Sequence, residues 1–304
     1  MFAALWLAVL SIAATLIAFP WHTDPEGDES QKAAEFYERA YAAALGGPTS
    51  FPEPTEKETA YGEGARGAAI KLGVPGLIAD FVREHSLENK RVLDVGSGNG
   101  LLQDSVADYT GLDISATVRR FYHKPFVEAS ATDMPFPSAT FDALWSIWVL
   151  EHIPNPERAL NEMRRVLKPG GVMFLMPAFD VSRYHAQGYA MRPYSDFNWS
   201  GKLIKLSVPL AQSKFVHYLH YHQVRLMRSI GVRLGGGPSS LRFVRLRPNY
   251  DRYWQADSDA AISVSAHELY LWFTTRGDEC LNCPSEARLT LRDPDLFYLV
   301  IRKG

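Results

Sequence analysis

The stretch VLDVGSGNG, residues 92–100, constrains the fold of this 304-residue chain more than any other. A hydrophobic run enters three alternating glycines, Gly96, Gly98 and Gly100, so the backbone can turn tightly and approach a ligand with no Cβ in the way. Strand-to-glycine junctions of this kind form nucleotide sites in α/β proteins. The spacing narrows the ligand: a dinucleotide fingerprint reads GxGxxG, but the sixth position counted from Gly96 is Leu101, which disfavours NAD. Asp94, two residues before the first glycine, suits a ligand carrying a cationic amino group near the turn.

From Arg91 onward, short apolar runs alternate with helical patterns. RVLDV, YTGLDI, PFVEA, FDALWSI and GVMFLMP are the strand candidates, with crossovers between them. The pattern predicts an α/β fold: a doubly wound, Rossmann-like, mainly parallel sheet with helices on both faces. Upstream, DESQKAAEFYERAYAAALGG reads as a helix stopped by Gly46 and Gly47. GPTSFPEPTEK reads as a linker, and Val74 to His85 as a second helix. The expected divisions are an apolar segment at 1–20, a helix and Pro-rich linker at 21–60, and one α/β domain at 61–304.

DxGxGxG at Asp94 to Gly100 resembles motif I of class I S-adenosylmethionine-dependent methyltransferases, and further features follow in that family's order over residues 74–178. YTGLDIS ends a second strand at Asp113, 19 residues after Asp94. There the resemblance implies a carboxylate on both ribose hydroxyls, and a carboxylate can accept two such bonds. ASATDMPF places Thr132, Asp133 and Met134 where the family contacts adenine. FDALWSIWVLEHI looks like the fourth strand and the helix after it, with Ser146 and Ile147 beside the methionine moiety; NEMRRVLKPGGVMFLMP looks like the next helix, turn and fifth strand. The similarity is to the branch called methyltransferase type 11, and it implies a seven-stranded sheet and S-adenosylmethionine as cofactor. The implied cofactor contacts are Asp94, Gly96, Ser97, Gly98, Asp113, Ile114, Thr132, Asp133, Met134 and Ser146. NGLLQDSVADYTGLD is about one helical turn shorter than usual, so the first helix after the glycine turn should be shortened.

After Pro177 the chain is longer than the family needs, and 178–295 is the expected substrate-recognition elaboration, with a helix near Gln223 to Ile230 stopped by Gly231 and a last antiparallel strand at 296–303. AFDVSRYHAQGYAMRPYSDFNW should overhang the reacting methyl group. If the acceptor needs a base, Tyr184, His185 and His152 are the candidates. His152 reads equally as a packing residue, and Trp145 and Trp148 as cavity wall or core.

The overall charge of −2 gives no reason to expect nucleic-acid binding. Its distribution is uneven: no acidic residue lies between Asp196 and Asp251, while that stretch holds nine lysines and arginines, from Lys202 to Arg247. Residues Phe2 to Phe19 are apolar apart from Ser11 and Thr15, long enough for a membrane helix, with a buried helix or a start-site extension as alternatives. The two features point to membrane association, a cytoplasmic catalytic domain and a small-molecule or lipid-linked acceptor. Cys280 and Cys283, the only cysteines, imply no disulfide framework, and their spacing lacks the further ligands of a zinc site. His217, His220 and His222 likewise lack the partners of a metal site, so none is expected. The other readings are a non-catalytic scaffold with this fold and an aminopropyl transferase, which the complete motif set and Asp94 respectively disfavour.

Overall fold

The computed structural model describes residues 30–44, 67–250, 256–291 and 296–304. The apolar segment 2–19 and the Pro-rich linker lie outside these residues. Each predicted run forms a strand: β1 Arg91–Val95, β2 Asp108–Asp113, β3 Phe126–Glu128, β4 Phe141–Ile147 and β5 Leu167–Met176. They pair in parallel in the order β3-β2-β1-β4-β5. β1, β2 and β4 are buried along nearly their whole length instead of alternating, as strands covered on both faces are. A two-stranded hairpin follows, β6 Val244–Arg245 with β7 Ile262–Ser263. β8 Glu279–Cys280 and β9 Leu299–Arg302 then complete a seven-stranded sheet, β9 antiparallel to β5 and β8 antiparallel to β9. The strand expected at 296–303 is therefore present in a shorter form.

The described helices include α1 Ser30–Ala44, α2 Val74–Glu84, α3 Pro156–Val166, α4 Trp199–Ala211, α5 Lys214–Gly235, α6 Ala266–Thr274 and α7 Glu286–Leu291. In α3 the Asn155 side chain caps the amide of Arg158, and Ala159, Leu160, Met163 and Val166 form a buried face at helical spacing. That face packs with Leu93, Leu144, Met173 and the α6 residues Trp272 and Phe273 on one side of the sheet. On the other side Ile78, Phe81 and Val82 of α2 pack with Val92, Tyr109, Trp145 and Phe174. Neighbours along a strand point to opposite faces, which is why Val92 and Leu93 belong to different cores.

Three expectations are corrected. No shortened helix follows the glycine turn; residues 101–107 form turns and bends. Gly96, Gly98 and Gly100 all hold positive φ, and the Gln103 side chain bonds across to the Phe121 carbonyl and the His123 amide. Second, α5 does not stop at Gly231 but runs through it to Gly235. A helical glycine costs only about 1 kcal/mol, and α5 is pinned just before it by Arg228 on Glu268 and Ser229 on His267; positive φ comes at Gly236 instead. Third, Cys280 and Cys283 are joined in a disulfide, because the turn after β8 brings their Cα atoms to 5.5 Å.

Candidate active site

Strand order reverses between β1 and β4, and in open α/β sheets ligands bind in the crevice beyond the carboxyl ends of such strands. A cavity of about 720 Å³ opens there. Its floor is Gly96 at the end of β1, and Leu112, Asp113 and Ile114 at the end of β2. One side is formed by Ala129 to Asp133 after β3, and the other by Trp148, Val149 and His152 to Asn155 after β4. Gln31, Ala33, Ala34, Tyr37 and Tyr41 of α1 also line it.

The glycine turn is held from below. The amides of Gly96 and Ser97 donate to the Leu112 carbonyl at 2.7 and 3.0 Å, and the Tyr122 hydroxyl donates to the carbonyls of Ser97 and Gly98. Tyr122 reaches them because Gly111 has no side chain: a Cβ there would sit 2.7 Å from the Tyr122 ring. At Gly96, φ is 72° and a Cβ would fall 2.2 Å from Val149 on the opposite wall, so only glycine fits. Asp113 accepts from the Gly98 amide at 2.8 Å through one oxygen and from the Ser115 amide at 3.0 Å through the other, which aims its carboxylate at the cavity edge. Burial raises the Asp113 pKa, against the pull of those amides.

Of the cofactor contacts implied by the sequence, Gly96, Asp113, Ile114, Thr132 and Asp133 line the cavity, whereas Asp94, Ser97, Gly98, Met134 and Ser146 do not. Asp94 lies beneath the turn, where it accepts a 2.8 Å bond from the Tyr109 hydroxyl, and burial pushes its pKa up to about 7. Met134 is buried, its amide donating to Glu162. The hydroxyls of Ser97 and Ser146 are buried without hydrogen-bond partners. Trp145 is fully buried core, and Trp148 is wall, held at φ 53° between this cavity and a second one of about 670 Å³. The second cavity is lined by Leu77, Met176, Phe179, Leu289, Phe297 and Tyr298, with Asp180, Arg225 and His267 as its charged and titratable groups.

Of the three candidate bases, only His152 lines the cofactor cavity. Its Nδ1 is 3.2 Å from Asp259 and its Nε2 3.9 Å from Glu151. Burial opposes its charge, but the carboxylates of Asp259, Glu151 and Asp257 outweigh that and raise its pKa. Glu151 is wholly buried and pushed up to about 7 by desolvation. Tyr184 is buried, with its hydroxyl accepting from Arg183, and burial lowers the His185 pKa. Sequence reasoning missed Glu151, Asp257 and Asp259 because their grouping depends on a loop more than 100 residues away in the chain. It also missed α1, although Tyr37 and Tyr41 lie at helical spacing on one face. Glu38 of α1 accepts from the Thr117 amide and hydroxyl, tying the helix to the turn after β2.

No described helix is long and apolar enough to cross a membrane. In the basic segment 202–247, Arg225 and Arg228 face inward to Asp180 and Glu268, while Arg233 pairs with Glu286 at the surface. α4 nevertheless exposes Trp199, Leu203, Leu206 and Leu210, a single stripe at helical spacing. The side chains of His217 and His220 lie outside the described residues.

Residues 93–175 match the family model described as a methyltransferase domain. The chain is 39% identical over 107 residues to a ubiquinone biosynthesis O-methyltransferase of Dechloromonas aromatica, covering 30% of this chain and 45% of that protein. It is 32% identical over 141 residues to a fatty-acid O-methyltransferase of Mycolicibacterium smegmatis, covering 37% and 52%. The chain thus spans about half the length of the curated relatives it matches. A solved S-adenosylmethionine-dependent methyltransferase from Mesorhizobium loti superposes with a TM-score of 0.40 at 16% identity, covering 74% of this chain and 96% of that one.

Proposed function

We propose that this chain, whose residues 93–175 match a methyltransferase domain, is a class I S-adenosylmethionine-dependent enzyme that transfers a methyl group to a small-molecule acceptor with an apolar body. The observation that carries the reading is the cavity at the β1/β4 switch point, floored by Gly96 and Asp113 and flanked by Thr132 and Asp133. Its volume lies in the range of small-ligand sites. The residues fit the cofactor: Gly96 brings bare backbone to the cavity floor, Asp113 offers an acceptor for ribose hydroxyls, and Asp133 one for the adenine amine.

The bound cofactor supplies an electrophilic methyl on a sulfonium. Transfer would break the S–CH₃ bond with its electron pair left on sulfur, and a hydroxyl acceptor would also have to give up its proton. The protein contributes mainly position, converting a bimolecular encounter into an oriented contact. Trp148 stands between the cofactor cavity and the largely apolar second cavity, which is why we place the acceptor's apolar body there. The two curated relatives named above are O-methyltransferases by name, which favours oxygen as the acceptor atom.

The finer part of the proposal is that the acceptor is met at an anionic membrane surface. The exposed α4 stripe beside a stretch with no acidic residue between Asp196 and Asp251 supports it. Calorimetry with S-adenosylhomocysteine tests the core of the reading: wild type should bind, and Asp113→Ala and Gly98→Val should bind at least ten-fold more weakly. Undiminished affinity in both variants, or no radiolabelled methyl transferred to the organic phase of a cell extract, would overturn it.

A further inference from the structure

We infer that Glu151, His152 and Asp257 form a binding site for a divalent first-row metal ion, opening on the cofactor cavity through His152. One ligand atom from each can be chosen so that all lie within 4.8 Å of one another, the only such group of three among the described residues. Ligands about 2.0–2.2 Å from a shared ion lie about 3–4 Å apart, so closure asks for side-chain adjustment only.

Three observations make this more than a cluster of acids. Glu151 has no solvent exposure, and neither of its carboxylate oxygens has a hydrogen-bond partner; the amides of Glu151 and Ala178 approach it without reaching hydrogen-bond geometry. A buried, unpartnered carboxylate is costly unless a cation meets it. The charges that act most on Glu151 are His152 and Asp257, and those that act most on Asp257 are His152, Asp259 and His185, with no lysine or arginine among them. Finally, Asp259 approaches His152 Nδ1 at 3.2 Å and itself accepts from the Tyr37 hydroxyl at 2.8 Å, which leaves Nε2 for the ion. A carboxylate behind the second ring nitrogen is the arrangement that orients metal-bound imidazoles.

One imidazole nitrogen with two carboxylate oxygens suits Mn²⁺, Fe²⁺, Co²⁺ or Zn²⁺. Three protein ligands leave coordination positions open. A hydroxyl acceptor would take such a position with loss of its proton to solvent, its oxygen then forming the O–CH₃ bond as the S–CH₃ bond breaks. That use rests on the proposed methyl transfer; the site itself does not.

The test uses the full chain, stripped with chelator and titrated with ZnCl₂ and MnCl₂ by calorimetry. One saturable site is expected for at least one of the two ions. Glu151→Gln and Asp257→Asn should each weaken it at least ten-fold while S-adenosylhomocysteine affinity stays within two-fold. No saturable binding of either ion below 1 mM, or unchanged affinity in both variants, overturns the site. If a variant loses its circular dichroism, the Mn²⁺-loaded wild type decides: electron–nuclear double resonance must show one imidazole nitrogen, absent in His152→Gln, and a spectrum without it also overturns the site. Metal binding without S-adenosylhomocysteine binding would defeat the methyl-transfer reading alone.

Discussion

Two residues at the end of β1 answer to different constraints. At Gly96 the constraint is steric. Alanine would need φ near 72° and would place its Cβ 2.2 Å from Val149. Gly96→Ala should therefore cost about 1–3 kcal/mol in urea unfolding and weaken S-adenosylhomocysteine at least ten-fold by calorimetry. At Asp94 the constraint is electrostatic. Burial raises its folded pKa from 3.8 to about 7, so the folded state holds a proton that the unfolded state has lost. Its contribution to stability is full below about pH 4 and is lost as pH rises through about 7. Comparing unfolding free energies at pH 5 and pH 8, wild type should lose on the order of 2 kcal/mol more than Asp94→Asn across that interval. Equal losses in the two proteins would contradict a desolvated Asp94.

Among the elements, α1 and the glycine turn had unequal visibility in the sequence. The turn was legible because its glycines and the strand before them are contiguous. α1 was legible as a helix, from its alanines and stop signals, but its place over the cavity was not, since that depends on Glu38 reaching Thr117 across 79 positions of chain. If α1 closes the cavity through this contact, Glu38→Ala should speed amide exchange in residues 30–44 at least several-fold and weaken S-adenosylhomocysteine by a similar factor. Exchange unchanged from wild type would show that α1 is held by Phe36 and its packing on Tyr250 instead. The missing helix after β1 has the same lesson in reverse: the segment length announced a short helix, but the turns that replaced it follow from how β2 and Tyr122 grip the loop.

Taken as a whole molecule, the chain combines a near-neutral total with a basic stretch and an exposed apolar stripe on α4. Those two properties predict binding to vesicles containing phosphatidylglycerol, weakened by raising NaCl from 50 to 300 mM, since screening shortens the reach of surface charge. The double variant Leu203→Glu and Leu206→Glu should lose at least ten-fold in co-sedimentation with those vesicles while keeping its S-adenosylhomocysteine affinity. Binding unaffected by both the salt and the variant would remove α4 from the membrane reading.

The sequence alone determined the five parallel strands, the last antiparallel strand and the α/β architecture. Gly96, Asp113, Thr132 and Asp133 each end or follow a strand of the sheet, so local patterning and strand order place them together. Tertiary structure alone decided the wall and the opposite end of the site. Trp148 and Trp145 look alike in sequence, yet one lines both cavities and the other is core. Glu151, His152, Asp257 and Asp259 meet only because the β6–β7 hairpin docks on the turn after β4, where the Ala261 amide donates to the Glu151 carbonyl at 2.8 Å. The physical reason is range: strands and glycine turns are specified by neighbouring residues, whereas charges from distant loops come together only when the hydrophobic core has fixed where those loops lie.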